Sequence, residues 1–235
     1  MNARRRLFRI CFPMAFALLA PVANASDGVF EINADCAQFG CFDGDTAGLP
    51  VQIVNPGSYR LTGNLTTAST SQTVIDVNTD DVSIDLNGFA LRGPVSCSGA
   101  TVSCSASGTG DGIDAGARSN IRIANGTISG MGDDGVRVGR GAWLEELTIA
   151  ENAGIGIEAL SPGAVLRRLS VRENGGNGVS LGFGSSYIMD SVVYNNGNQG
   201  VAGGFCGNVL MSANDGPDSC VAIAPNRCDT PTDCD

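Results

Sequence analysis

An all-β coil, with short parallel strands wound in turns of about 22 residues, is the fold the sequence predicts, and three observations predict it. Glycine followed by Ile or Val recurs at Gly112-Ile113, Gly135-Val136, Gly156-Ile157, Gly178-Val179 and Gly200-Val201, in steps of 23, 21, 22 and 22 residues. Apolar columns keep the same register. Seven residues before the last four of these glycines stand Ile128, Ile149, Val171 and Val193; twelve before them stand Ile123, Leu144, Leu166 and Ile188. The apolar runs are also short and β-branched, as in Leu147-Thr148-Ile149 and Leu169-Ser170-Val171, and glycine makes up 33 of the 235 residues, more than long helices tolerate. A repeat of this period and composition stacks each residue on its equivalent one coil away, about 4.8 Å along the axis.

The elements follow in chain order. Residues 1–25 read as a secretory signal peptide. Arg4, Arg5, Arg6 and Arg9 form a basic start, Ile10 to Leu19 an apolar stretch, and Ala23-Asn24-Ala25 a small-residue cleavage site before Ser26. Residues 26–50 are expected to cap the first coil, and residues 51–205 to form the coils. Residues 94–109, rich in Ser, Gly and Thr, read as an insertion loop, and residues 206–235 as a cysteine-rich end. Three parallel sheets per turn are expected. Asn152, Asn174 and Asn196, each four residues before a ladder glycine, are placed for a stacked side-chain amide ladder at a corner. Asparagine also tolerates the left-handed backbone such a corner needs.

Without the signal, ten arginines face 24 acidic residues, a net charge of −14, with no Lys and no His. Such a surface repels nucleic acid and anionic lipid, and disfavours anionic polysaccharides unless a cation intervenes. No segment after the signal is apolar for long enough to span a bilayer. Eight cysteines remain, and an even number in an exported chain reads as disulfides. Near neighbours suggest Cys36–Cys41, Cys97–Cys104, Cys206–Cys220 and Cys228–Cys234. Zinc is a poor alternative, since no C-x-x-C spacing and no His is present. The expected compartment is the periplasm or the exterior.

The segment Pro56-Gly57-Ser58-Tyr59-Arg60-Leu61-Thr62-Gly63-Asn64-Leu65, followed by Asp85-Leu86-Asn87-Gly88-Phe89 and Asn125-Gly126-Thr127-Ile128, resembles the right-handed parallel β-helix repeat proteins of the pectate-lyase-like superfold, in particular exported bacterial members. The resemblance covers roughly residues 50–210 and implies a single-stranded right-handed parallel β-helix with disulfide-stapled ends. This superfold hosts lyases, hydrolases, epimerases, adhesins and non-enzymes, so function has to be argued from sites.

Two acidic constellations resemble catalytic ones. Gly110-Asp111-Gly112-Ile113-Asp114 and Gly132-Asp133-Asp134-Gly135 are similar to the paired NTD and DD motifs of polygalacturonases, in which one carboxyl is a general acid and two activate water. By that match, Asp111 answers to the first motif and Asp133 and Asp134 to the second. The chain departs from the family at Thr109-Gly110, at Gly154-Ile155-Gly156 and at Asn177-Gly178-Val179-Ser180, where the family carries Asn-Thr, Gly-His-Gly and Arg-x-Lys. Pectate-type lyases, which this fold also resembles, hold Ca²⁺ with acidic residues and use Arg as the base. Asp114, Arg137 and Glu158 form one expected outward column, with Asp133 and Asp134 nearby. The structural alternatives are a glycine-rich corner for the first constellation and a surface ion ladder for the second. A column of similar look is Glu146, Arg168 and Asp190.

Trp143 and Tyr187 share another column, with Val165 between them, and Tyr194 follows Ala150 and Arg172 in a third. Facing outward, these rings would offer an apolar platform for sugar faces; facing inward, they would be packing. Asp43 and Asp45, and the tail residues Asp229, Asp233 and Asp235, are acidic groups of the kind that can bind Ca²⁺, the only cofactor suggested, though they match an EF-hand loop poorly and a solvated acidic terminus is the favoured account. No G-x-S-x-G or phosphate-loop motif is present. The sequence therefore supports an exported, non-catalytic protein that presents a long face to a polysaccharide or other surface. The alternative is a polysaccharide lyase or hydrolase using Asp111, Asp114, Asp133, Asp134 and Arg137.

Overall fold

The computed structural model describes residues 28–182, 184–223 and 227–228. The expected signal segment, the expected Cys228–Cys234 pair and the tail residues Asp229, Asp233 and Asp235 lie outside the described side chains.

Each ladder glycine leads into a strand of two or three residues. Val51–Ile53, Ile75–Val77, Ile113–Ala115, Val136–Val138, Ile157–Ala159, Val179–Leu181 and Val201–Ala202 stack in parallel as a seven-stranded sheet. Its register is the one read from the glycines: Ile113, Val136, Ile157, Val179 and Val201 are partners in succession. A Cβ at Gly156 would lie 2.5 Å from the Gly178 carbonyl oxygen of the next coil, so this position takes no side chain.

The expected second and third sheets are one. Arg122–Ser129, Trp143–Ala150, Tyr187–Tyr194 and Phe205–Ser212 are eight-residue strands of a larger parallel sheet. One coil follows the same path as two pieces, Val165–Arg167 and Ser170–Arg172. Halfway along each strand one residue has positive φ: Asn125, Glu146, Arg168, Asp190 and Asn208, at 50–62°. That single left-handed residue turns the strand without interrupting pairing on either side, so the two faces stay in one ladder.

The inward columns meet between the sheets. Ile123, Leu144, Leu166 and Ile188, Ile128, Ile149, Val171 and Val193, and the short-sheet Ile and Val residues are all fully buried. Burying a side chain of this size contributes roughly 1.5–3 kcal/mol, and here every coil repeats the same set.

The amide ladder forms. Asn152 Nδ2 donates to Asn174 Oδ1 at 2.9 Å, Asn174 Nδ2 to Asn196 Oδ1 at 3.0 Å, and Asn196 Nδ2 to Asn214 Oδ1 at 3.0 Å. Each acceptor also takes the backbone N–H of the asparagine before it, at 3.1–3.2 Å. The left-handed residue is not the ladder asparagine but the one before it: Glu151, Glu173, Asn195 and Ala213 carry the positive φ. That residue makes the turn and leaves the asparagine free to point inward and stack.

At the N-terminal end, Val29–Ile32 pairs in parallel with Gly57–Leu61, and a short helix, Ala34–Ala37, capped by Asn33, is tied down by Cys36–Cys41. Cys206–Cys220 fixes the other end. The insertion is an antiparallel hairpin pairing Cys97 with Cys104 and closed by their disulfide.

Candidate functional site

Two clusters of charged groups stand out, one on each sheet. On the short sheet, strand alternation sends Asp76, Asp114, Arg137 and Glu158 outward in one column. Arg137 is the hub. Its guanidinium lies 3.1 Å from Glu158, 3.6 Å from Asp114 and Asp134, and 3.7 Å from Asp111. The structure thus brings together four of the five residues singled out for catalysis and adds Glu158. Asp133 is partly buried in the turn and is not an ion-pair partner of Arg137 among the described residues.

Asp111 and Asp134 are buried, and both are corner caps. Asp111 Oδ1 accepts the N–H of Asp134 at 3.0 Å, and Asp134 Oδ1 accepts the N–H of Ile155 at 2.7 Å. Asn177 does the same two coils beyond Asp134, accepting from Gln199 at 3.2 Å. Burial pushes the Asp111 carboxyl up to about 7 and the Asp134 carboxyl up to about 6, against the lowering effect of these amides. A carboxyl titrating there suits a general acid, but each has one oxygen committed to the next coil's backbone. Beside the cluster runs an open groove of about 300 Å³, lined by Asp76, Asn78, Asp114, Arg118, Arg137 and Leu160. The disulfide hairpin does not roof it. It seats against Asn152 and Gly175, on the corner that precedes the short strands.

On the outer face of the long sheet the pattern inverts. Glu145 is 5% exposed and is surrounded by three arginines. Arg167 reaches it through Nε at 3.0 Å and Nη2 at 2.7 Å, Arg168 through Nη2 at 2.9 Å, and Arg122 closes the third side. Hydrogen bonding from Arg167, followed by the charge of Arg122, holds the Glu145 carboxyl below the usual range despite its desolvation. The arginine side chains are themselves 35–56% exposed, so part of each faces solvent.

This patch adjoins the aromatic column. Trp143, Val165, Tyr187 and Phe205 are successive register partners, each followed by a buried residue: Leu144, Leu166, Ile188 and Cys206. The rings therefore face outward. Arg167 lies over the indole at 4.9 Å, and Tyr187 and Phe205 stack at 5.2 Å. Tyr194 is not brought into this row. It partners Arg172 and Ser212 beyond the turn at Asp190, on the other half of the bent sheet. Asp190 in the Glu146–Arg168 column takes a hydrogen bond from Asn208, while Arg168 bridges Glu146 and Glu145.

Sequence reasoning missed Arg122, Arg167, Glu145 and Phe205. Arg167 falls 22 residues after Glu145, so the column was countable; Phe205 was hidden because the final coil shortens the step from Tyr187 to 18.

The sequence model of the right-handed β-helix region matches residues 66–215. The chain belongs to the right-handed β-helix family. Comparison with curated proteins and with solved structures finds no significant match. The match begins after the N-terminal cap and ends at the last ladder asparagine, Asn214, and its neighbour Asp215, so this β-helix carries both clusters inside the matched region. None of the helices among its described residues is long and apolar enough to cross a membrane.

Proposed function

We propose that this β-helix protein is exported and binds polysaccharide through the outer face of its long sheet, without cleaving it. The observation that carries the reading is the outward row of Trp143, Tyr187 and Phe205 beside Arg122, Arg167 and Arg168. Rings held at coil spacing on a rigid ladder give flat apolar contacts at little entropic cost, and the arginine N–H groups donate to sugar oxygens. The local surplus of positive charge reverses the overall acidity, so polysaccharides with acidic groups are favoured here. Three formed disulfides suit an oxidising compartment.

A second reading, a lyase or hydrolase centred on Asp111, Asp134 and Arg137, is favoured by one observation: the carboxyl titrating near 7 beside an open groove. The test incubates the oxidised protein with neutral and acidic polysaccharides, with and without Ca²⁺, following new reducing ends, unsaturated products and retention. Retention without product, weakened about tenfold by Trp143→Ala and Tyr187→Ala and unaffected by Asp134→Asn, supports binding. Product lost on Asp134→Asn establishes the enzyme, and no retention on any polymer sinks both readings.

A further inference from the structure

The only antiparallel pairing in the described structure is the hairpin of Cys97–Ser98 with Ser103–Cys104. Two residues per strand make a hairpin that is marginal by itself, so its shape depends on the disulfide and on what it touches. What it touches is a lane along the coil axis. Its base is hydrogen-bonded at Gly130 and Gly132, through Val95 N–H at 2.9 Å and Gly108 N–H at 2.6 Å. Cys97 is almost fully buried, with Sγ 3.6 Å from the Asn152 carbonyl oxygen. Cys104 Sγ lies over Gly175, where a Cβ would stand only 2.9 Å from the sulfur. At the tip, Val102 N–H donates to Asp215 Oδ2 at 3.3 Å.

Gly132, Ala153, Gly175, Gly197 and Asp215 occupy one corner position on five successive coils, as the backbone bonds following each ladder asparagine show. The hairpin therefore runs along the stack for four coil steps, about 19 Å. It arises in an early coil and ends on the last regular one. That last coil departs from the repeat, although Cys206–Cys220 ties its strand to the segment that follows. Its ladder step shortens from 22 to 18 residues, the strands that pair with Phe205–Ser212 on its outer side among the described residues are two residues long, and Val221 and Ile223 are more than half exposed.

We propose that the Cys97–Cys104 hairpin is a redox-sensitive clasp that fastens the last coils to the body of the helix. An external dithiol supplies the two electrons that break the S–S bond. The dithiol's own sulfurs close into a disulfide, and its two protons end on Cys97 and Cys104. The freed hairpin loses its fixed seat on Asn152 and Gly175, and the tip leaves Asp215. Phe205 sits in the fastened coil, so opening the clasp would also loosen one end of the aromatic row. That last consequence rests on the polysaccharide-binding reading; the clasp does not.

The test is backbone hydrogen exchange, resolved by segment, on the oxidised protein, on Cys97→Ser/Cys104→Ser and on Asp215→Ala. The double variant should raise exchange over residues 195–216 by about 10- to 100-fold while the strands at 113–115 and 136–138 keep their protection. Asp215→Ala, which keeps the disulfide, should raise it severalfold at Val102 and residues 214–216 only. Unchanged protection at 195–216 in a folded double variant would overturn the clasp. Should the double variant fail to fold, unchanged exchange in Asp215→Ala would do so by itself. Polysaccharide retention, measured in parallel, bears only on Phe205, so a protein that binds nothing leaves the exchange result intact.

Discussion

The cluster around Arg137 and the cluster around Glu145 are inverses. On the short sheet one arginine serves four carboxylates; on the long sheet one carboxylate serves three arginines. Both arise because register stacks charged residues from consecutive coils, but the surplus differs in place as well as sign. The surplus acid near Arg137 is partly turned inward, where Asp111 and Asp134 cap backbone amides. The surplus base near Glu145 is turned outward, beside half-buried rings on the same face. A charged column becomes part of the scaffold when its spare oxygens meet backbone N–H groups, and remains available to a ligand when they do not.

The largest expected effect breaks both clusters at once, through the core that carries them. Val171→Asp places a carboxylate in a fully buried column, and burying an unpaired charge costs several kcal/mol or more. The chain should lose its cooperative thermal transition; a soluble variant that melts like the parent would refute the register.

Acidity should separate the clusters next. Asp111 and Asp134 have folded values near 7 and 6, above the ordinary 3.8. The folded state therefore holds these protons more tightly than the unfolded chain, and folding takes up protons between about pH 4 and 7. Their contribution is full below pH 4 and fades as pH rises through 6 and 7. Glu145, lowered, works in the opposite sense and is lost only in stronger acid. Stability to urea should be greater at pH 5 than at pH 8, by on the order of 2 kcal/mol. A flat profile would mean that these carboxyls are not the buried groups described.

Removing a cap should cost less. Asp111→Ala leaves the Asp134 N–H without its acceptor, a loss of about 1–2 kcal/mol in denaturant melts, while Asp111→Asn keeps an acceptor oxygen and should recover most of it. Equal losses in the two variants would point to the charge rather than the cap. The smallest stability effect is expected for Glu145→Gln. It takes the shared carboxylate from three partly exposed arginines, of which Arg168 keeps Glu146, costs about 1 kcal/mol, and should tighten retention on acidic polymers in a salt-sensitive way. Retention that weakens instead would place the arginines outside the binding face.

The fold was legible because a coil is a one-dimensional object. Period, inward columns and the asparagine ladder all follow from counting in steps of about 22, and three disulfides from the nearness of their cysteines along the chain. Asp114, Arg137 and Glu158 were legible as a column for the same reason. Counting failed where the coil changes length, which hid Phe205, and where a property depends on the turn rather than the repeat. The left-handed residue precedes each ladder asparagine, and one left-handed residue per strand joins two expected sheets into one.

The sequence alone thus determined which residues are equivalent from coil to coil, because equivalence along a solenoid is spacing along the chain. Only the tertiary structure decided what each equivalent residue faces. Whether Asp134 meets solvent or the Ile155 amide, whether Trp143 points out, and whether the Cys97–Cys104 hairpin lies across the groove or along the corner depend on turn angles and on coils several steps away. Those angles are set by backbone conformation and packing, which residue spacing does not encode.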